Sequence, residues 1–307
     1  MKHFLTLADL EPQEFRHILD LSVRLKAEWQ AGEGEPLLKN KVLGMIFQKP
    51  SLRTRVSFDV AMLHLGGNAL YLSPNEIQLG KRESVADVAR VMSRYVDIVM
   101  ARVFGHYDLV ELAKYASIPV INALSDYSHP CQGAADFLTI LEKKGSFKGK
   151  KLTYLGDGNN VSTSLLFGAT KLGMDFAIGS PKDYELHPAV WDMGCRFAAD
   201  SGAQILATAD PLEAIDGADV VYTDAWASMG QEEEAAERRR IFPPYRIDEE
   251  ILEYAKPDAI VMHCLPAHRG EEITNAVADG PQSALFDQAE NRLHSEKAIL
   301  AWVLDLA

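Results

Sequence analysis

The sequence predicts an α/β protein of two doubly wound parallel-sheet domains. Short apolar runs alternate with segments of helical period along the chain, and that alternation restarts after residue 147. Clusters of polar residues also recur just after the apolar runs, at the strand ends where ligands of such sheets collect.

Residues 6–30 place Leu7, Leu10, Phe15, Ile18, Leu19 and Leu25 at helical spacing, and Gly32-Glu33-Gly34-Glu35-Pro36 breaks the pattern. The run 42–47 reads as a buried parallel strand. Lys49-Pro50-Ser51-Leu52-Arg53-Thr54-Arg55 then leads into a helix with Val56, Val60 and Leu63 on one face, ended by Gly66-Gly67. A short strand over 69–72 precedes a polar loop over 73–82 that carries Gln78 and Lys81. Helices over 84–95 and 106–116 flank a strand over 97–101 that ends at Arg102. A strand over 120–123 runs through a loop to His129-Pro130-Cys131-Gln132, and the next helix turns Ala134, Phe137, Leu138 and Leu141 inward.

The second series begins after the connector Lys148-Gly149-Lys150-Lys151. Strands are expected over 152–155, 175–178, 204–206, 219–222 and 259–262. A helix marked by Val161, Leu165, Ala169 and Leu172 follows the turn Gly156-Asp157-Gly158-Asn159-Asn160. The expected domains are therefore 1–147 and 148–288. The last helix, at about 289–307, could pack on either and is assigned to the first.

With 307 residues, 47% hydrophobic and 24% charged, the chain has room for two ordinary globular cores. A net charge of -13 argues against nucleic-acid or anionic-membrane partners. It does not argue against a small anionic substrate, because local arginines and helix ends set the field of a site. Three cysteines without Cys-x-x-Cys spacing point to a reducing compartment with neither a disulfide framework nor a zinc site. The N-terminus lacks the pattern of a signal h-region, and no apolar run reaches membrane-span length. A cytoplasmic location is expected.

Each polar cluster has a plain reading beside a chemical one. Ser51 to Arg55 could hold a phosphate through free helix N–H groups, the helix dipole and bidentate guanidinium donors, or could be a capped helix with solvated arginines. His129 could donate to a developing oxyanion while Gln132 reads an adjacent amide, or His129 could simply cap a proline-started helix. Gly156 to Asn160 lacks the third glycine of a dinucleotide fingerprint, since Val161 stands there, so asparagines facing a carboxylate ligand is the better chemical reading. Asp224 could pair with an ammonium group. Cys264 could be a nucleophile with His263 or His268 as base, could position an amine beside Asp224, or could be a buried small hydrophobe. The Glu232 to Arg240 run reads as a solvated helix face with Glu234 and Arg238 four apart.

From about Leu5 to the C-terminus the chain resembles the ornithine branch of the aspartate/ornithine carbamoyltransferase superfamily. Phe47-Gln48-Lys49-Pro50-Ser51-Leu52-Arg53-Thr54-Arg55, His129-Pro130-Cys131-Gln132 and Asp157-Gly158-Asn159-Asn160 carry the resemblance. Asp224-Ala225-Trp226-Ala227-Ser228-Met229-Gly230 with His263-Cys264-Leu265-Pro266 points to the ornithine branch. The resemblance implies a site in the cleft between the domains, with carbamoyl phosphate and L-ornithine as substrates and neither cofactor nor metal. It assigns the phosphate to Ser51, Leu52, Arg53 and Thr54, with Leu52 replacing the commoner threonine. Arg102 would bridge phosphate and carbonyl oxygen. His129, Pro130, Cys131, Gln132, Cys264, Leu265 and Arg292 would surround the carbamoyl group. Asn160, Asp224, Ser228 and Met229 would hold ornithine, with Arg102, His129 and Cys264 as the catalytic groups. Gln78 would reach a neighbouring subunit's site, so a homotrimer is expected. A nicotinamide-dependent dehydrogenase and a non-catalytic binding relative are the competing readings.

Overall fold

The computed structural model describes residues 1–227 and 234–306, and the chain divides into two compact units, Met1–Leu138 with Glu290–Ala307, and Thr139–Ala289. The first unit begins with a 3-10 turn, Leu7–Asp9, followed by α1 (Pro12–Gln30). The single helix expected over 6–30 is thus interrupted. Thr6 caps the turn by accepting from Ala8 N at 2.7 Å, Leu10 is extended, and Pro12 lacks the N–H needed to continue a helix although it opens one well.

The unit continues through β1 (Val42–Phe47), α2 (Leu52–His64), β2 (Asn68–Leu72), α3 (Pro74–Ile77), α4 (Val85–Tyr95), β3 (Ile98–Arg102), α5 (His106–Tyr115), β4 (Val120–Leu124) and α6 (Pro130–Lys144). Its strands pair in parallel in the order β2-β1-β3-β4, and Phe4 bridges Ile121 on the free side of β4. Ile46, Val99, Ala101 and Val120 from the sheet pack with Val85, Val88, Leu109 and Leu112 from helices α4 and α5. On α2 the buried side is Thr54, Phe58, Ala61 and Met62, whereas Val56 is 49% and Leu63 70% exposed. The face that carries Val56 and Leu63 is therefore the external one. Both faces of α2 are apolar, so periodicity does not choose between them; Phe58 and Met62 bring more apolar area to the core.

The second unit holds β5 (Lys151–Leu155), α7 (Asn160–Lys171), β6 (Asp175–Gly179), α8 (Pro188–Ser201), β7 (Ile205–Thr208), α9 (Pro211–Ile215), β8 (Val220–Thr223), α10 (Ala235–Ile241), α11 (Glu249–Leu252), β9 (Ile260–His263) and α12 (Asn275–Ala278). The last helix, α13 (Leu285–Val303), starts here, and the division between the units falls within α6 and α13. The second sheet is also parallel, in the order β7-β6-β5-β8-β9, over a core that includes Leu155, Ile215, Val221, Ile247, Val261 and Ile273.

Each sheet has one point where the chain's direction of winding reverses, between β1 and β3 in the first and between β5 and β8 in the second. Diverging connections leave an opening at the carboxyl ends of those strands, the usual ligand position in open α/β sheets. The segments that leave these ends are Lys49 to Arg55 after β1, Val103 onward after β3, Gly156 to Asn160 after β5, and Asp224 after β8.

Candidate active site

At the first reversal, Ser51 is the N-cap of α2. Its hydroxyl accepts from Thr54 N at 3.4 Å and donates to Thr54 Oγ1 at 3.1 Å. The cap fixes the first turn with its remaining N–H groups directed outward, where the dipole favours an anion. Leu52 is 76% exposed, so a ligand here would meet its backbone. Gln48 ties the neighbouring strand ends together: its backbone N–H reaches Arg102 O at 2.8 Å, its amide accepts from Phe104 N at 2.7 Å and donates to Asp108 at 2.8 Å. Arg102 thereby ends β3 beside the α2 N-terminus, buried although charged.

His129 lies at the end of the loop after β4, just before Pro130 opens α6. Asn122 organises that loop by donating to Leu5 O at 2.8 Å and Ser128 Oγ at 3.1 Å. The His129 imidazole is held well below its ordinary pKa, first by burial and then by Arg292, Arg102, Lys49 and Arg53. Those four cations converge on one neutral ring, and an imidazole in that state can donate a hydrogen bond but carries no charge of its own.

Arg292 is the second centre of this cluster. Its guanidinium donates to Gln132 Oε1 at 3.0 Å, Thr54 Oγ1 at 3.5 Å and Glu296 Oε1 at 2.7 and 3.1 Å. Gln132 in turn donates to Asp136 at 2.8 Å. The Cys131 thiol donates to Asn122 O at 3.3 Å, and burial raises its pKa well above normal, so this side chain is structural. Gln78 stands apart, exposed, with φ at 46° and its amide turned back to Asn75 O at 3.4 Å.

At the second reversal, Asn159 caps α7 by accepting from Val161 N at 2.9 Å and Ser162 N at 3.1 Å, and donates to Asp224 at 3.0 Å. Of the two asparagines expected to face a ligand, Asn159 is therefore committed to the protein; Asn160 is the first residue of α7. Gly158 is required by space, since a Cβ there would lie 2.3 Å from the backbone of Glu185 and Leu186. Asp224 also accepts from Ala225 N at 2.7 Å and from the Cys264 thiol at 2.8 Å.

His263 is not available to Cys264 as a base. Its Nδ1 accepts from Leu265 N at 2.8 Å, and its Nε2 faces Glu272 Oε1 at 3.1 Å, all fully buried except the Leu265 backbone. This arrangement fixes the left-handed Leu265 (φ 58°) and turns Cys264 toward Asp224. A covalent role for the thiol loses His263 as its base, and His268, the other expected base, faces Glu272 at 3.8 Å. A role beside an amine keeps its geometry. Asp224, His263 and Cys264 bring ligand-type atoms within 4.8 Å, as do His268, Glu271 and Glu272. In the first set, the protein itself satisfies each group. Ser228 and Met229 lie outside the described residues.

Arg238 escaped sequence reasoning. It pairs with Glu234 at 3.0 Å as the spacing suggests, but it is buried and also donates to Asp157 at 2.7 Å and Trp226 O at 2.8 Å. Burial raises the Asp157 pKa against the pull of Arg238. The pair clamps the turn after β5 to the segment after β8. Its only signal was the i, i+4 spacing, which an exposed pair shares.

Family models match both parts of the chain. Residues 2–142 match the carbamoyl-P binding domain of aspartate/ornithine carbamoyltransferases, and residues 148–303 match the Asp/Orn binding domain. The chain is 54% identical over 303 residues to the ornithine carbamoyltransferase of Pyrococcus abyssi, covering 99% of this chain and 96% of that one. It is likewise 54% identical, with the same coverage, to an ornithine carbamoyltransferase of Anoxybacillus flavithermus. Among solved structures, the Pyrococcus furiosus ornithine carbamoyltransferase superposes with a TM-score of 0.97 at 53% identity, over 99% of this chain and 97% of that one. The anabolic enzyme of Campylobacter jejuni gives 0.94 at 40% identity over the full length of both.

Proposed function

The chain belongs to the aspartate/ornithine carbamoyltransferase family, and from that premise we propose that it transfers the carbamoyl group of carbamoyl phosphate to the δ-amine of L-ornithine, giving L-citrulline and phosphate. The observation that carries this reading is the first cluster: a capped helix N-terminus and four cations around a neutral, buried imidazole. Such a site suits an anion that also carries a carbonyl to be polarised.

In this reading Ser51, Arg53, Thr54 and the Leu52 backbone hold the phosphate. Arg102 spans phosphate and carbonyl oxygen, and His129, Pro130, Cys131, Gln132 and Arg292 surround the carbamoyl group, with Cys131 contributing backbone only. Cys264 and Leu265 are assigned to the carbamoyl group as well. Asn160, Asp224, Ser228 and Met229 hold ornithine, and Asp224 with Cys264 receives its amine. The δ-amine has a lysine-like pKa of about 10.4 and must lose its proton before it attacks. Desolvation lowers that pKa. Attack on the carbonyl carbon forms a tetrahedral oxyanion stabilised by Arg102, His129 and Thr54, and collapse expels phosphate, which takes the proton. The reaction balances without a protein base.

The finer biology is proposed with it: an anabolic, cytoplasmic enzyme of arginine formation, assembled as a homotrimer in which Gln78 serves a neighbouring copy's site. Among the described residues no helix is long and apolar enough to cross a membrane.

The test offers ornithine, putrescine, aspartate and acetylornithine in parallel and measures phosphate release from carbamoyl phosphate. Release dependent on ornithine, with citrulline formed in equal amount, is the expected result. Preference for another amine, or no release with any, would overturn the assignment.

A further inference from the structure

Glu296 lies one turn beyond Arg292 on α13, fully buried, and takes two of the guanidinium's hydrogen bonds on a single oxygen, Nη2 at 2.7 Å and Nε at 3.1 Å. The remaining reach of Arg292 goes to Gln132 and Thr54, both in the anion cluster. A guanidinium pinned along one edge can present its other edge in only one direction. We propose that Glu296 is a positioning residue of the anion site, whose carboxyl group both aims Arg292 and sets how much positive charge Arg292 offers to carbamoyl phosphate. This inference rests on reading the first cluster as the carbamoyl phosphate site.

The surroundings make the carboxyl group titratable in a useful range. Burial raises its pKa to about 7, against the opposing pull of Arg292 and of the Ser57 hydroxyl. The groups facing it are Arg292 on its own helix, Ser57 with Thr54 beyond it on α2, and the neutral Cys131 thiol on α6. None of these others changes charge near neutrality. His129 is already neutral there, and Arg102, Lys49 and Arg53 stay cationic on the side of the imidazole.

The direction of the effect follows from charge. Below neutrality Glu296 holds a proton and no longer offsets the charge of Arg292, on which Asp136 still acts, and the larger net positive charge favours a phosphate-bearing anion. Above neutrality the carboxylate neutralises much of that charge. The KM for carbamoyl phosphate should therefore rise from about pH 6 to about pH 8, by roughly three- to tenfold for a unit charge acting across a partly screened interior. Ornithine deprotonation alters kcat and the ornithine KM over the same range, so the carbamoyl phosphate KM at saturating ornithine is the diagnostic quantity.

Glu296→Gln keeps an acceptor for Arg292 at nearly the same volume but cannot ionise. The expected result is a variant with a low, flat carbamoyl phosphate KM across that range, while the parent protein shows the rise. Difference infrared spectra of the parent should lose a protonated-carboxyl C=O band between about pH 6 and pH 8, and the variant should lack that band. Parallel pH profiles for the two proteins, or a KM raised in the variant by one constant factor, would overturn the role of Glu296 and leave the assigned reaction intact. Absence of phosphate release by the parent at every pH would instead overturn the underlying assignment.

Discussion

Arg102 illustrates how much of the site is decided by single residues. It is the last residue of β3, buried, and one of four cations whose fields keep His129 neutral. In the proposed reaction it faces charge that develops on the carbonyl oxygen, and so it matters more in the transition state than in the bound substrate. Arg102→Leu should lower kcat by about 10²- to 10³-fold, the usual cost of removing an oxyanion donor. Asn160→Ala should chiefly raise the ornithine KM. Steady-state kinetics of the two variants separate these roles, and equal losses of kcat would refute the oxyanion assignment. Ser51, Arg53, Thr54, Arg102 and His129 were legible from sequence because each follows an apolar strand run. Asn159 and Asn160 were not separable, because adjacent identical side chains differ only in where the helix cap falls.

At the scale of elements, the turns after β5 and β8 form one structure. Asn159 caps α7 and reaches Asp224, and Arg238 on α10 holds Asp157. Gly158 lets this turn lie directly against the backbone at Glu185 and Leu186. Gly158→Ala must push that backbone away, at a cost of about 1–3 kcal/mol for overpacking. The displacement should pass to Asn159 and Asp224. The denaturant midpoint is expected to fall and the ornithine KM to rise, while the carbamoyl phosphate KM stays near that of the parent. An unchanged midpoint and ornithine KM would mean that the turn is not the support assigned to it. The glycine was visible in the sequence, but its reason was not: the contacting backbone lies about 27 residues further along the chain.

At the scale of the whole molecule, the exposed apolar face of α2 bears on assembly. Leu52, Val56 and Leu63 on α2 and Leu70 on the edge strand β2 are all at least 49% exposed, in a protein of net charge -13. Apolar groups clustered beside an unpaired strand edge favour association with another copy. The proposed trimer would cover them and bring Gln78 to a neighbouring site. Sedimentation should give a trimer for the parent and smaller species for Val56→Glu combined with Leu63→Glu, with activity falling as the assembly dissociates. A parent that sediments as a monomer and is fully active would refute the proposal.

The sequence by itself determined the two parallel α/β sheets, the strand ends and the residue types gathered there, because strand burial and helix capping are local and periodic. Only the tertiary structure decided which face of α2 is internal, that Arg238 is a buried clamp, that His263 is committed to Glu272, and that Glu296 stands behind Arg292. Arg238 answers to Asp157 far along the chain, and α2 to a choice between two apolar faces. Glu272 and Glu296 lie near their partners in sequence, but only packing decides that they are buried against them, and none of this leaves a mark in local periodicity.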